Sequence, residues 1–110
     1  MKCRIASFNF QIDNIYPKTE MACGGYLIPA NEKCEISLAI TEKDIYSEES
    51  GGCFSGQYLE YIALCRKISE ILPFNNSLLL HSACFDVDGV GVAFAAHSGT
   101  GKTTDRKSVV

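Results

Sequence analysis

The feature that most constrains this chain is the run Ala96-His97-Ser98-Gly99-Thr100-Gly101-Lys102-Thr103, with Thr104 directly behind it. It fits the pattern of a phosphate-binding loop, with alanine where the first glycine usually stands. A tight, glycine-bearing turn aims successive backbone N–H groups inward and makes a nest for phosphate oxygens. A helix starting just after it adds its positive end. In that chemistry Lys102 bridges the β and γ phosphates, and the Thr103 hydroxyl ligates Mg²⁺. Ala96 is compatible wherever its position needs no positive φ. From average residue usage, a chance match in such a chain is on the order of one per cent. The bland alternative is a Gly-Thr-Gly turn beside a surface lysine.

Such a loop requires a strand in front of it. Val90 to Ala96 reads as that strand, apolar on both faces as in the middle of a covered sheet. Asp88-Gly89 marks a two-residue hairpin turn, which makes Ser77 to Val87 the partner strand. The register then pairs Val87 with Val90, Phe85 with Val92, Ala83 with Phe94 and His81 with Ala96. His81 is thereby expected beside the root of the loop, where an imidazole can bind metal, orient a phosphate or pass a proton. A histidine that only caps a strand end by hydrogen bonding satisfies the same geometry. His97 takes a variable loop position and flanks the pocket.

The front of the chain reads as strands and one helix. Ile5 to Ile15 sets Ala6, Phe8, Phe10 and Ile12 against Ser7, Asn9 and Gln11, the alternation of one half-buried strand ended by Pro17. Cys34 to Thr41 predicts a second strand, and the acidic stretch from Thr41 to Gly52 a solvated loop. From Ser55 to Leu72 the period becomes helical. Tyr61, Leu64, Cys65, Ile68, Ile71 and Leu72 form the apolar side, with Glu60, Arg66, Lys67 and Glu70 opposite. Ser55 caps the start and Pro73 enforces the stop. Tyr58 and Tyr61 are expected to pack rather than to stack on a base.

Composition narrows the function. Apolar residues make up 46% and charged ones 21%, a globular balance. A net charge of -3 argues against a dedicated nucleic-acid grip, which needs a basic face. No apolar run approaches the ~18 residues of a membrane span, and the amino terminus turns polar too early for a signal peptide. The cysteines, Cys3, Cys23, Cys34, Cys53, Cys65 and Cys84, contain no C-x-x-C pair. They predict reduced core thiols in a cytoplasmic protein, not a disulfide framework or a zinc site.

The segment from His81 to Thr103 resembles the HPr kinase/phosphorylase and ATP-dependent phosphoenolpyruvate carboxykinase superfamily. In HPr kinases a histidine opens a strand, a hairpin follows, and the loop reads G-x-S-G-x-G-K-S. The family's histidine and lysine are active-site residues, spaced as His81 and Lys102 are here. The run Ser98-Gly-Thr-Gly-Lys-Thr-Thr104 is similar to the carboxykinase loop, whose family also has a metal-ligating histidine on the preceding strand. The resemblance covers about a quarter of the chain. It implies ATP and Mg²⁺ as cofactors, with His81 and Lys102 catalytic and Thr103 and His81 at the metal. Residues 96 to 104 would form the nucleotide site, and a protein or small molecule would accept the phosphate.

The region before His81 departs from both families. It is too short for the front half of a carboxykinase and unlike the front domain of HPr kinase. The layout looks more like small bacterial HPr-kinase-like proteins. The fold class this implies is α/β: a strand-rich front, one long helix, then a β-hairpin leading into a P-loop, truncated. Three functions stay open on sequence: an ATP-dependent, Mg-dependent phosphoryl-transfer enzyme resembling HPr kinase, a carboxykinase-like lyase, and a nucleotide-binding module without catalysis.

After Thr104 the residues offer no apolar face for the helix that a phosphate loop requires. Asp105-Arg-Lys-Ser-Val-Val110 also resembles the translation of a sequencing-library adapter. The expectation is a partial nucleotide-binding domain over 1–104 and a non-native tail over 105–110. Such a fragment would show little turnover, since a phosphate site alone does not position an acceptor.

Overall fold

Ala6 and Ser7 both adopt positive φ, 52° and 70°, and turn the chain back on itself. The first stretch is therefore a hairpin, not the single strand expected from its alternation. In this computed structural model, which describes residues 1–49, 51, 52, 54–80 and 82–95, β1 (Lys2–Ile5) pairs antiparallel with β2 (Phe8–Asp13). Cys3 lies opposite Phe10 in that ladder. The inward face of β2 is the one the alternation predicts, since Phe10 and Ile12 are fully buried. Asn9, on the other face, is buried too. Its side chain accepts from Arg4 Nε (2.9 Å) and donates to the Lys33 carbonyl (2.9 Å).

The described residues are mixed α and β, and the chain divides into two units, Met1–Ser77 and Leu78–Val110. In the first unit, Pro17 does not simply end a strand. It opens α1 (Pro17–Ala22), where its missing N–H costs nothing and its fixed φ suits a helix start. A 3₁₀ turn (Gly24–Tyr26) and a loop then lead to β3 (Ile36–Ala39), which joins β2 in parallel, giving a sheet of order β1-β2-β3.

The acidic stretch expected as a loop contains α2 (Glu42–Ser47). Thr41 and Asp44 form a reciprocal capping box: Thr41 Oγ1 accepts from Asp44 N (3.3 Å), and Asp44 Oδ2 accepts from Thr41 N (2.8 Å). Lys67 closes on Asp44 at 2.9 Å. The long helix, α3 (Gly56–Ile71), follows the prediction closely. Ser55 accepts from Tyr58 N at 3.3 Å, and a 3₁₀ turn (Leu72–Asn75) containing Pro73 ends it at left-handed Asn76. One buried cluster joins Cys3, Phe10 and Ile12 of the sheet to Ile45 of α2 and to Leu59, Ala63, Leu64 and Ile68 of α3.

Two face assignments on α3 are corrected. Glu60, expected on the solvent side, is fully buried. Its carboxylate accepts from Ile15 N (2.5 Å), Tyr16 N (3.0 Å) and the Thr19 hydroxyl, so the charge enters the core fully hydrogen-bonded. Tyr61, expected on the apolar side, is 38% exposed.

In the second unit, β4 (Ala83–Val87) and β5 (Val90–Phe94) form a two-stranded antiparallel sheet. Residues Ser77 to Leu80, expected as strand, are not in the ladder. No helix among the described residues is long and apolar enough to cross a membrane.

Candidate functional site

The β4–β5 hairpin is the scaffold from which the sequence-predicted site would be built. Its turn is Asp88-Gly89, with φ of 51° and 83°, the positive values a two-residue hairpin turn requires. Asp86 Oδ1 accepts from Gly89 N at 2.8 Å and ties the turn to the strand. The observed partners are Val87 with Val90, Phe85 with Val92 and Ala83 with Phe94, the register expected from the turn. On one face Phe85 and Phe94 meet with ring centroids 5.2 Å apart.

His81 and all of residues 96–104 lie outside the described residues, as does the 104/105 boundary. The ladder is described as far as Ala83 and Phe94, one same-face step short of the expected His81–Ala96 pair. A second expectation is corrected here. β5 is not a covered strand: Val90 is 63% and Phe94 37% exposed, and only Val92 is half-buried. The physical reason is the two-stranded sheet, which has no third strand of described residues beside it.

The thiols divide by environment. Cys3 and Cys23 are buried, Cys34 and Cys65 are half-buried, and Cys84 is exposed on the hairpin, so the expectation of core cysteines holds for only some of those described. Burial raises the Cys3 thiol, and it pushes Cys23 up to about 11. The two share a hydrogen bond. Burial likewise raises Cys65, against an opposing hydrogen bond from Tyr61. The nearby Cys65 sulfur, more than burial, raises the Tyr61 hydroxyl. Thiols held protonated in this way are poor nucleophiles at neutral pH. Among the described residues no group of three or more His, Cys, Asp or Glu side chains could hold a metal ion.

No family model, curated protein or solved structure matches this chain.

Sequence reading missed a surface groove of about 540 Å³ in the first unit, lined by α2, the turn after it and the first turns of α3. Ile45 and Leu59 are its buried apolar members. Tyr46 (77% exposed) and Phe54 (54%) add aromatic rings, and Phe54 stacks on Tyr58 at 5.0 Å. Glu42, Glu49 and Lys43 supply the charge. The signal that could have revealed it is the S/T-x-x-D/E cap at Thr41–Asp44, which makes a helix of residues otherwise read as solvated loop.

Proposed function

We propose that the chain carries the nucleotide-binding loop of an ATP-dependent, Mg²⁺-dependent phosphoryl-transfer domain of the HPr kinase-like type. The reading rests on one observation, the run Ala96-His97-Ser98-Gly99-Thr100-Gly101-Lys102-Thr103-Thr104. The strand in front supports it, because β5 ends at Phe94 and the motif's context asks for a strand leading into the loop. In this reading the loop amides and Lys102 hold the β and γ phosphates, and the Thr103 hydroxyl ligates Mg²⁺. His81 assists at the metal or at the transferring phosphate. Bound Mg²⁺ would neutralise charge on the phosphate oxygens. An ATP-using protein with free thiols belongs in the reducing cytoplasm.

The test is thermal unfolding of the chain with and without Mg-ATP. A ligand at ten times its Kd stabilises by about 1.4 kcal/mol, a shift of several degrees for a small domain. The expected result is a rise in melting temperature that Lys102→Ala abolishes. No rise, or one that survives Lys102→Ala, overturns the reading.

A further inference from the structure

The groove between α2 and α3 has a chemistry that owes nothing to residues 96–104. Three carboxylates of α2, its C-cap and α3 that do not line the groove are engaged in ion pairs. Asp44 is held by Lys67, and Glu48 and Glu70 by Arg66. The side chains of Glu42 and Glu49 have no hydrogen-bond or ion-pair partner among the described residues, and both line the groove. Among the described lining residues Lys43 is the one cation against them, which leaves that lining net negative.

Beside these carboxylates lie the exposed rings of Tyr46 and Phe54. An aromatic face attracts a cation through its quadrupole, and a carboxylate adds a charge-assisted hydrogen bond. Ile45 and Leu59 are nearly buried at the groove floor, so the exposed rings of Tyr46 and Phe54 give most of the apolar surface for a carbon stem. Carboxylates, rings and apolar surface together suit a guanidinium or ammonium on an aliphatic chain. An inorganic cation would gain nothing from the apolar surface, and an anion would be repelled.

We infer that this groove is a docking site for an arginine- or lysine-bearing segment of a partner protein. The groove is open to solvent rather than an enclosed cavity, which favours an extended peptide over a free cation. Tyr46 and Phe54 take the cation's apolar and π contacts, and Glu42 and Glu49 take its charge.

The probe is a fluorescein-labelled Leu-Arg-Leu-Arg-Leu-Arg peptide titrated with the 110-residue chain and read by fluorescence anisotropy. Its Leu-Glu counterpart and free arginine amide serve as comparisons. Binding of the arginine peptide is expected, weakening with added salt. Tyr46→Ala and Glu49→Gln should each weaken it about two- to fivefold, the range for one exposed cation–π or charged contact. Glu32→Gln, an exposed substitution on the β3 approach with the same change in net charge, should leave it unaltered. No binding, equal binding of the glutamate peptide, or equal loss in Glu32→Gln overturns the site. Arginine amide binding as tightly as the peptide overturns the partner-segment assignment. Circular dichroism of each variant confirms that it is folded.

Discussion

The carboxylate of Glu60, in the second turn of α3, accepts the hydroxyl hydrogen of Thr19 on α1, 41 residues earlier in the chain. The same carboxylate takes the backbone N–H groups of Ile15 and Tyr16, just before α1 begins at Pro17. One side chain thus fixes where α1 starts and how it lies on α3. Tyr16 is also seated against the start of α3, where a Cβ at Gly56 would come within 2.5 Å of its hydroxyl oxygen.

Removing that carboxylate strands donors near the core. Glu60→Ala should cost about 3 kcal/mol of unfolding free energy. The near-isosteric Glu60→Gln should cost about 1–2 kcal/mol, because its NH₂ meets donors where a carboxylate oxygen accepted. Urea denaturation measures both. Combining Glu60→Gln with Thr19→Val should give a total smaller than the sum, since the two share one hydrogen bond. A Gln variant within about 0.5 kcal/mol of the parent would show that packing, not the charge, holds α1 in place.

Asp44 predicts the acid limb of stability. The Lys67 ammonium, and then the backbone and hydroxyl of Thr41, hold its carboxyl well below the usual carboxylate range. A depressed folded-state value means the contribution is complete above the unfolded value of 3.8 and fades as pH falls below it. Unfolding followed from pH 5 down to pH 2 should therefore show a decline that Asp44→Asn reduces. Identical slopes for the two proteins in that window would contradict the capping role.

What could be read in advance was local chemistry. Ser55 and Pro73 bracket α3, and Asp88-Gly89 sets the hairpin register, because each acts within a few residues of itself. The turn at Ala6-Ser7 escaped because neither residue is a usual host for positive φ. α2 escaped because its acidic surface outweighed its capping box. Glu60 escaped for a different reason. Its backbone partners lie 44 and 45 residues away, and helical spacing carries no trace of them. The run from Ala96 to Thr104 stands out by residue types alone, and the phosphate loop proposed there lies outside the described residues.

The cysteines should react in the order of their exposure. With iodoacetamide at pH 8, Cys84 should be labelled first among the described cysteines, and Cys3 and Cys23 only on unfolding. Peptide mass spectrometry reads the order. The Cys23 thiol, raised from 9.0 to about 11, also sets an alkaline limit. Its contribution is complete below pH 9 and is lost as pH rises towards 11, because the unfolded chain releases that proton more readily. Cys23→Ala should flatten stability across that interval, and early labelling of Cys23 in the folded protein would contradict its burial.

Gly89 predicts a backbone effect free of packing. It sits at φ +83° with nothing within 4 Å of where a Cβ would be. Gly89→Ala should therefore cost about 1 kcal/mol through the left-handed conformation alone, and Gly89→Asn, which tolerates that region, clearly less. Amide hydrogen exchange at Val87 and Val90, the pair flanking the turn, reports the loss. If the proposed phosphate loop depends on β5 for its root, any Mg-ATP stabilisation should fall in the same order, parent above Asn above Ala. Equal exchange in the two variants would mean that the Asp86–Gly89 hydrogen bond, rather than the positive φ, governs the turn.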